Sequence, residues 1–521
     1  MNSKAIRFFR EHYGTIAAIA GLSVLALCLT AAAAATDFDG YLVEIDMPVR
    51  LLDASAPDLP EMSEVYAPLG LYHAGDAATV ERLRECGVLL HAEPNYIVTL
   101  DDSPGMEALR DVSGKARLWS ASETAAQAWY EPELGMDIVR QKGVTGEGVR
   151  VGIVDSGIFK EHQAFAGVKV LDGGNYCVPD GDPARSDVSD GVGHGTFVSG
   201  LIAAAGKDIG VTGLAPGVEL VPLKCFESKS GSIANIAKAI YDGVDTWQCQ
   251  VMNLSLGIEK DSAALRKAIA YAGEKGVLMV AAAGNLLSGQ HNPAGDPLNY
   301  PAAYPEVIGV GAVGKTLSVA SFSYRNESVE VVAPGQSMSA PSSKDKAIYV
   351  SGYGTSYASP IVAAAAALAL SVRPSLTSAD FRELLTSTAR DLGDEGYDTS
   401  YGHGLLQIAS LCAAANPEMF TEPEPESIRE RVIAERQRLA AESNVPALFA
   451  VAYDEKGQPL RLLDVSPTAP QGAEPDSMPI LSEADIPEEI FQVENAALWK
   501  LISFDRLTFV PSEAPVILPV S

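Results

Sequence analysis

Positive charge is scarce in this chain: 38 lysines and arginines stand against 67 aspartates and glutamates, a formal net charge of −29. Binding phosphate backbones needs a basic face, and no segment supplies one, so nucleic acid is excluded as a partner. The acidity reads as a soluble, self-repelling surface. Cysteine is scarce as well, with six in the chain. No pair has the CxxC or Cys/His spacing of a zinc site, and no metal ligand is assigned. Cys28 and Cys86 fall in segments expected to be removed. Cys177, Cys225, Cys249 and Cys412 remain, open both to pairing and to burial as free thiols. No internal repeat is present, and the 47% apolar, 20% charged balance excludes a disordered or fibrous chain.

What is there begins at the N-terminus. Lys4, Arg7 and Arg10 precede an apolar run from Ile16 to Ala35 that ends in "TAAAAATD". Residues 1–36 therefore read as a cleaved export signal, with a retained membrane anchor as the alternative. Either way the bulk of the chain is expected outside the cytoplasm, secreted or anchored at the cell surface. Residues 37–101 form a separate α+β segment ending in "GVLLHAEPNYIVTL", and 102–127 are a polar link. From 128 to 416 apolar strands alternate with amphipathic helices. "VRVGIVD", "VELVPLKCF", "VMNLSLG" and "VLMVAAAGN" are the strands; "GTFVSGLIAAAG", Ser232 to Trp247 and Ser262 to Lys275 are helices. That rhythm predicts an α/β domain whose parallel sheet is covered by helices on both faces. A Pro/Glu-rich linker and charged helix over 417–443 lead to a small β-rich accessory domain at 444–521.

An open parallel sheet places its ligands outside the carboxyl ends of its strands. Asp155 ends "VGIV", His194 heads the helix of "GVGHGTFVSG", and Asn285 ends "VAAAG". Ser356 heads the buried helix of "GYGTSYASPIVAAAAALAL". A serine hydroxyl becomes nucleophilic when a base takes its proton, which histidine does near neutral pH. A carboxylate on the other ring nitrogen fixes the tautomer, and an amide beside a helix N-terminus stabilises an oxyanion. The set predicts Asp155, His194 and Ser356 as a catalytic triad and Asn285 as an oxyanion donor. His162, His291 and His403 are expected to serve packing and core hydrogen bonds.

The segments "VGIVDSGI", "GHGTFVSG", "MNLSLG", "AAAGN" and "GTSYASP" resemble the motifs of the subtilisin-like serine proteases, in that family's order of Asp, His and Ser. The resemblance covers about Ala128 to Ala415. It implies the same triad, Asn285 in the oxyanion hole, and Ser255-Leu256-Gly257 as a strand pairing with substrate backbone. It places Asn299 at the base of the primary specificity pocket. "GVLLHAEPNYIV" is similar to the end of the family's inhibitory propeptide, so the chain's own N-terminal domain is an expected inhibitor.

Departures from the pattern sharpen the expectation. Tyr357 stands where methionine is common, and Phe197 where a second histidine is common. With Asn299 at the pocket base and Leu286 giving no acidic rim, a medium-sized uncharged or hydrophobic side chain is expected before the scissile bond. No cofactor is required, and calcium stays open. Lys207 occupies an amide-ligand position, Ala164 replaces an aspartate, and Asp180, Asp182, Asp187 and Asp190 read as solvated loop carboxylates. The expectation is an exported serine endopeptidase that forms an acyl-enzyme, cuts polypeptides and is made as a zymogen. An inactive surface binding module, or a maturation protease or transpeptidase with one peptide partner, is the alternative.

Overall fold

The computed structural model describes residues 38–46, 60–100, 128–205, 211–286, 291–292, 295–420, 447–453, 459–464, 498–504 and 516–519. The expected signal segment, the 102–127 link and the charged helix near 427–443 lie outside them. The chain divides into two units, Met1–Phe420 and Thr421–Ser521.

The first unit opens with strands β1 (Phe38–Ile45), β2 (Ser63–Tyr66) and β3 (Leu71–Ala74), helix α1 (Ala77–Glu85) and strand β4 (Leu89–Thr99). Asp76 starts α1 by accepting from the Thr79 N–H at 2.7 Å. The strands form an antiparallel sheet in the order β2-β3-β1-β4, which α1 covers through Val80 and Leu83.

Next come α2 (Met136–Gln141), β5 (Arg150–Asp155), the short β6 (Lys169–Val170) and β7 (Gly174–Asn175), and α3 (His194–Ala203). Strand β8 (Glu219–Lys224), edge segment β9 (Ser230–Ser232), α4 (Ile233–Asp245), β10 (Val251–Leu254), α5 (Ala263–Glu274) and β11 (Leu278–Ala282) follow. The unit continues with β12 (Val307–Val313), β13 (Val331–Pro334), the β14 (Met338–Pro341) and β15 (Tyr349–Gly352) hairpin, and α6 (Thr355–Val372). Helices α7 (Ser378–Thr388) and α8 (Ile408–Ala415) end its regular structure apart from a last short turn.

The large sheet runs β13-β12-β11-β10-β5-β8-β6, with β7 also on β8, and every pairing is parallel. Alternate side chains of each strand enter opposite cores. Val151, Ile153, Leu220, Val251 and Val280 pack against α3 and α6, whereas Val154, Val221, Met252, Leu254 and Met279 pack against α4 and α5. Both faces are dry, as the continuous apolar strands predict. Helix α6 is long and apolar enough to cross a bilayer, yet it lies buried inside this core.

Cys177, Cys225, Cys249 and Cys412 are free thiols. Burial pushes Cys249 and Cys412 up to about 12, so they pack as inert apolar groups. His162 accepts from the Ala164 N–H at 3.0 Å and its Nε2 bonds the Ile348 carbonyl at 2.9 Å, while burial lowers its pKa. His291 pairs with Asp296, and His403 packs on Tyr397. In the second unit β16 (Ala447–Tyr453), β17 (Pro459–Asp464), β18 (Leu498–Phe504) and β19 (Val516–Pro519) form an antiparallel sheet in the order β17-β16-β18-β19.

Candidate active site

Strand β5 delivers Asp155 to the carboxyl edge of the sheet, completely buried. Both of its oxygens lie 2.9 Å from Nδ1 of His194, the first residue of α3. The approach depends on Gly195, where a Cβ would sit 2.2 Å from the Gly157 carbonyl oxygen. Only a glycine lets the first turn of α3 rest on the loop leaving β5, and that contact sets imidazole against carboxylate.

The turn that presents His194 is organised by a residue the motifs did not flag. Asp190, expected to be solvated, is 6% exposed. It accepts from the Ser156 hydroxyl at 2.9 Å, the Val192 N–H at 3.0 Å and the Gly193 N–H at 2.7 Å. The Thr196 N–H and hydroxyl add bonds of 2.9 and 2.6 Å. Burial pushes its pKa up against the pull of those bonds. The signal was its place four residues ahead of the histidine in "DGVGHGT". Its neighbours stay outside: Asp180 pairs with Arg185 and Lys238, Asp182 accepts from Ala184, and Asp187 from Ser189.

Ser356 is the second residue of α6, whose N-cap Gly354 offers no side-chain cap. Pro360 sits one turn further on and has no N–H for the Ser356 carbonyl. That carbonyl is satisfied instead by the Ser255 hydroxyl at 2.6 Å, itself bonded at 2.8 Å by the Asn253 amide. The Ser359 hydroxyl closes the chain on Asn253 at 2.7 Å. This buried relay ties the head of α6 to the end of β10. The Ser356 hydroxyl donates to the Ser255 carbonyl at 3.2 Å. His194 lies over the adjacent Tyr357, ring centroids 5.7 Å apart, and Tyr357 stacks on Phe197 at 4.1 Å. The two departures from the family pattern thus touch one another beneath the histidine.

Asn285 follows β11, and its Oδ1 accepts from the Thr355 N–H at 2.9 Å and the Thr355 hydroxyl at 3.1 Å. Those bonds orient the amide so that its NH₂ end faces the other way. A cavity of about 120 Å³ opens beside it, lined by Ser255, Leu256, Gly257, Asn285, Asn299 and Ser356 among others. Asn299 crowds Gly257 so closely that a Cβ there would be 1.9 Å from Nδ2, which donates to the Ala282 carbonyl at 3.1 Å. Six of the residues expected at the site therefore share one cavity, while the His194–Asp155 pair adjoins Tyr357, the residue after Ser356. The cavity meets the Ser356 hydroxyl at the head of α6, where Asn285 already takes the Thr355 N–H. Of the two positions weighed for calcium, Lys207 lies outside the described residues and Ala164 offers a buried methyl. Among the described residues no group of three or more His, Cys, Asp or Glu is placed to hold a metal ion.

A family profile described as the Subtilase family matches residues 146–404. Subtilisin DY of Bacillus licheniformis is 42% identical over 282 residues, 53% of this chain and 95% of that protein. The chain belongs to the subtilase family. Subtilisin Savinase of Lederbergia lenta is 38% identical over 53% of the chain and 96% of its own length. Minor extracellular protease Epr of Bacillus subtilis (strain 168) is 33% identical over 64% of the chain and 48% of that protein. As a subtilase, the chain is a serine-type endopeptidase acting on polypeptides.

Proposed function

We propose that this subtilase is an exported endopeptidase made as a zymogen, with Ser356 as nucleophile, His194 as base and Asp155 as the carboxylate orienting it. Rotation of the Ser356 side chain would swing its hydroxyl from the Ser255 carbonyl to His194. Oγ then bonds the scissile carbonyl carbon, and His194 takes the hydroxyl proton. The tetrahedral oxyanion is met by the Asn285 amide and the Ser356 N–H at the head of α6. Collapse breaks the C–N bond as His194 passes the proton to the leaving amine, and water releases the acyl group by the same steps reversed. No cofactor is needed, because these side chains supply nucleophile, base and oxyanion donors.

One observation carries the zymogen proposal: the N-terminal domain adds a strand beside the cavity that Ser356 lines. Strand β4 adds antiparallel to β9, pairing Ile97 with Ser232, Val98 with Gly231 and Thr99 with Ser230. The Leu100 N–H then donates to the Lys229 carbonyl at 2.7 Å. Thr99 lines the same cavity as Ser356. A peptide substrate recognised by strand addition would make the same ladder, so residues 37–101 act as propeptide and inhibitor until cut from the chain. Export is supported by the charged and apolar N-terminal run, and one relative is named as extracellular.

Expressing the full chain beside Ser356→Ala tests the proposal. The wild type is expected to process itself between residues 101 and 128, and the variant to stay full length. Processing of both at one junction without added protease would rule out self-cleavage.

A further inference from the structure

The cavity beside Ser356 carries a charge that the family motifs do not announce. Glu259, five residues beyond the end of β10, is the one charged side chain among its described lining residues. Its Oε1 accepts a 2.6 Å hydrogen bond from the Tyr324 hydroxyl. Tyr324 is buried and wedged against Gly284, where a Cβ would lie 2.5 Å from its ring. A fixed ring next to the Asn285 loop therefore holds the carboxylate at the cavity. Among the described residues no Lys or Arg pairs with Glu259, and its Oε2 takes no hydrogen bond. The adjacent Lys260 is turned away, its ammonium over the Tyr96 ring at 4.8 Å. Within the cavity Asn299 spends Nδ2 on the Ala282 carbonyl, which leaves Oδ1 as a second acceptor.

Two acceptors and no spare cation suit one kind of occupant. An aromatic side chain would cover a carboxylate and an amide oxygen while offering neither a hydrogen bond, an uncompensated desolvation. A thin aliphatic stem ending in a cation instead packs on apolar lining such as Leu256 and carries the donors that a carboxylate and an amide oxygen accept. Deepening the proposed endopeptidase function and resting on it, we infer that the primary specificity pocket takes lysine or arginine before the scissile bond, selected by Glu259. This replaces the uncharged side chain expected from Asn299 and Leu286. Glu259 sits at the solvent edge, so its preference weakens as salt rises.

Peptides alike except for Lys, Met or Glu before the scissile bond test the inference. The full chain as expressed is used, with rates counted per serine labelled by a fluorophosphonate probe. The wild type is expected to cut the Lys peptide about tenfold faster than the Met peptide, and the Glu peptide slowest. In Glu259→Gln the Lys-to-Met ratio falls to about one or two, and in Glu259→Lys the Glu peptide overtakes the Lys peptide, a reversal no loss of folding can produce. A labelled wild type that prefers Met, or a ratio unmoved in Glu259→Gln, overturns the inference alone. A wild type that the probe does not label overturns the proposed function, and the inference with it.

Discussion

Two pairs of helices pack on opposite faces of the large sheet, and their N-termini are treated in two different ways. On one face α3 and α6 begin at glycine N-caps without side-chain caps, and their first turns carry His194 and Ser356. On the other face α4 and α5 begin at Ser232 and Ser262, each accepting from a backbone N–H of its own first turn. The N-terminal domain caps this second pair further. Asn95 accepts from the Ala234 N–H at 2.9 Å, while Glu93 takes the Ala263 and Ala264 N–H groups and the Ser262 hydroxyl. Tyr66 adds an apolar anchor, stacked on Tyr241 at 3.9 Å with its hydroxyl on Asp245. Orphan N–H groups and helix dipoles are the same physical resource in both places. In the glycine-capped pair neighbouring site residues take part of it, Asp190 and the Ser156 hydroxyl the Thr196 and Gly195 N–H groups and Asn285 the Thr355 N–H; in the second pair, filled by a carboxylate and an amide of the N-terminal domain, it holds a domain in place.

The largest expected effect lies at the glycine-capped pair. Asn285→Ala removes the side-chain donor proposed for the oxyanion and is expected to lower kcat by about 10²- to 10³-fold with KM little changed, on the scale established for a subtilisin. Steady-state kinetics per labelled serine check it. An equal loss in KM alone would place Asn285 in substrate binding and weaken the contrast. The filled pair predicts a smaller effect. Glu93→Ala strands two N–H groups and a hydroxyl, so in the full chain Ser356 should become probe-reactive about tenfold faster. Glu93→Gln, whose amide oxygen still accepts, should restore part of that loss. An unchanged labelling rate in Glu93→Ala would mean that the caps do not hold the domain.

The glycine-capped pair was largely legible in the sequence and the filled pair was not. Strand and helix rhythm located β5, β8, β10 and β11, because both-face burial makes them continuous apolar runs. Asp155, His194, Asn285 and Ser356 stood out because each sits in a glycine context that only a close approach demands, as Gly195 shows against Gly157. Asp190 was misread: a loop aspartate looks solvated until five donors are seen converging on it. Ser255 and Asn253 were visible as strand residues, but not as the relay that replaces the N–H missing at Pro360. Glu93, Asn95 and Glu259 act across contacts of 65 to 171 residues in sequence separation, which no local pattern records.

The smallest expected effect is a pH dependence confined to the filled pair. Burial pushes the Glu93 carboxyl up, yet bonds from His91, the Ala264 and Ala263 N–H groups and the Ser262 hydroxyl outweigh it and hold the pKa below the usual carboxylate range. Docking through Glu93 is therefore complete above its undocked pKa and is lost as pH falls through the lowered value. His91, 3.6 Å from Glu93, has its pKa raised chiefly by that carboxylate, with Glu44 adding to the rise, while desolvation and Lys267 oppose it. Its contribution is complete below its undocked pKa and is lost as pH rises through the raised value. The dock is thus tightest in weakly acidic solution. His91 is half exposed, so screening limits its share to about two- to threefold. The useful measure is the labelling rate of the full chain divided by that of His91→Asn at each pH, which cancels any pH dependence common to both. The ratio should sit below one in weak acid and climb to one as pH rises past neutrality. A ratio flat across that range would show that the filled helix ends hold their domain without any help from the imidazole.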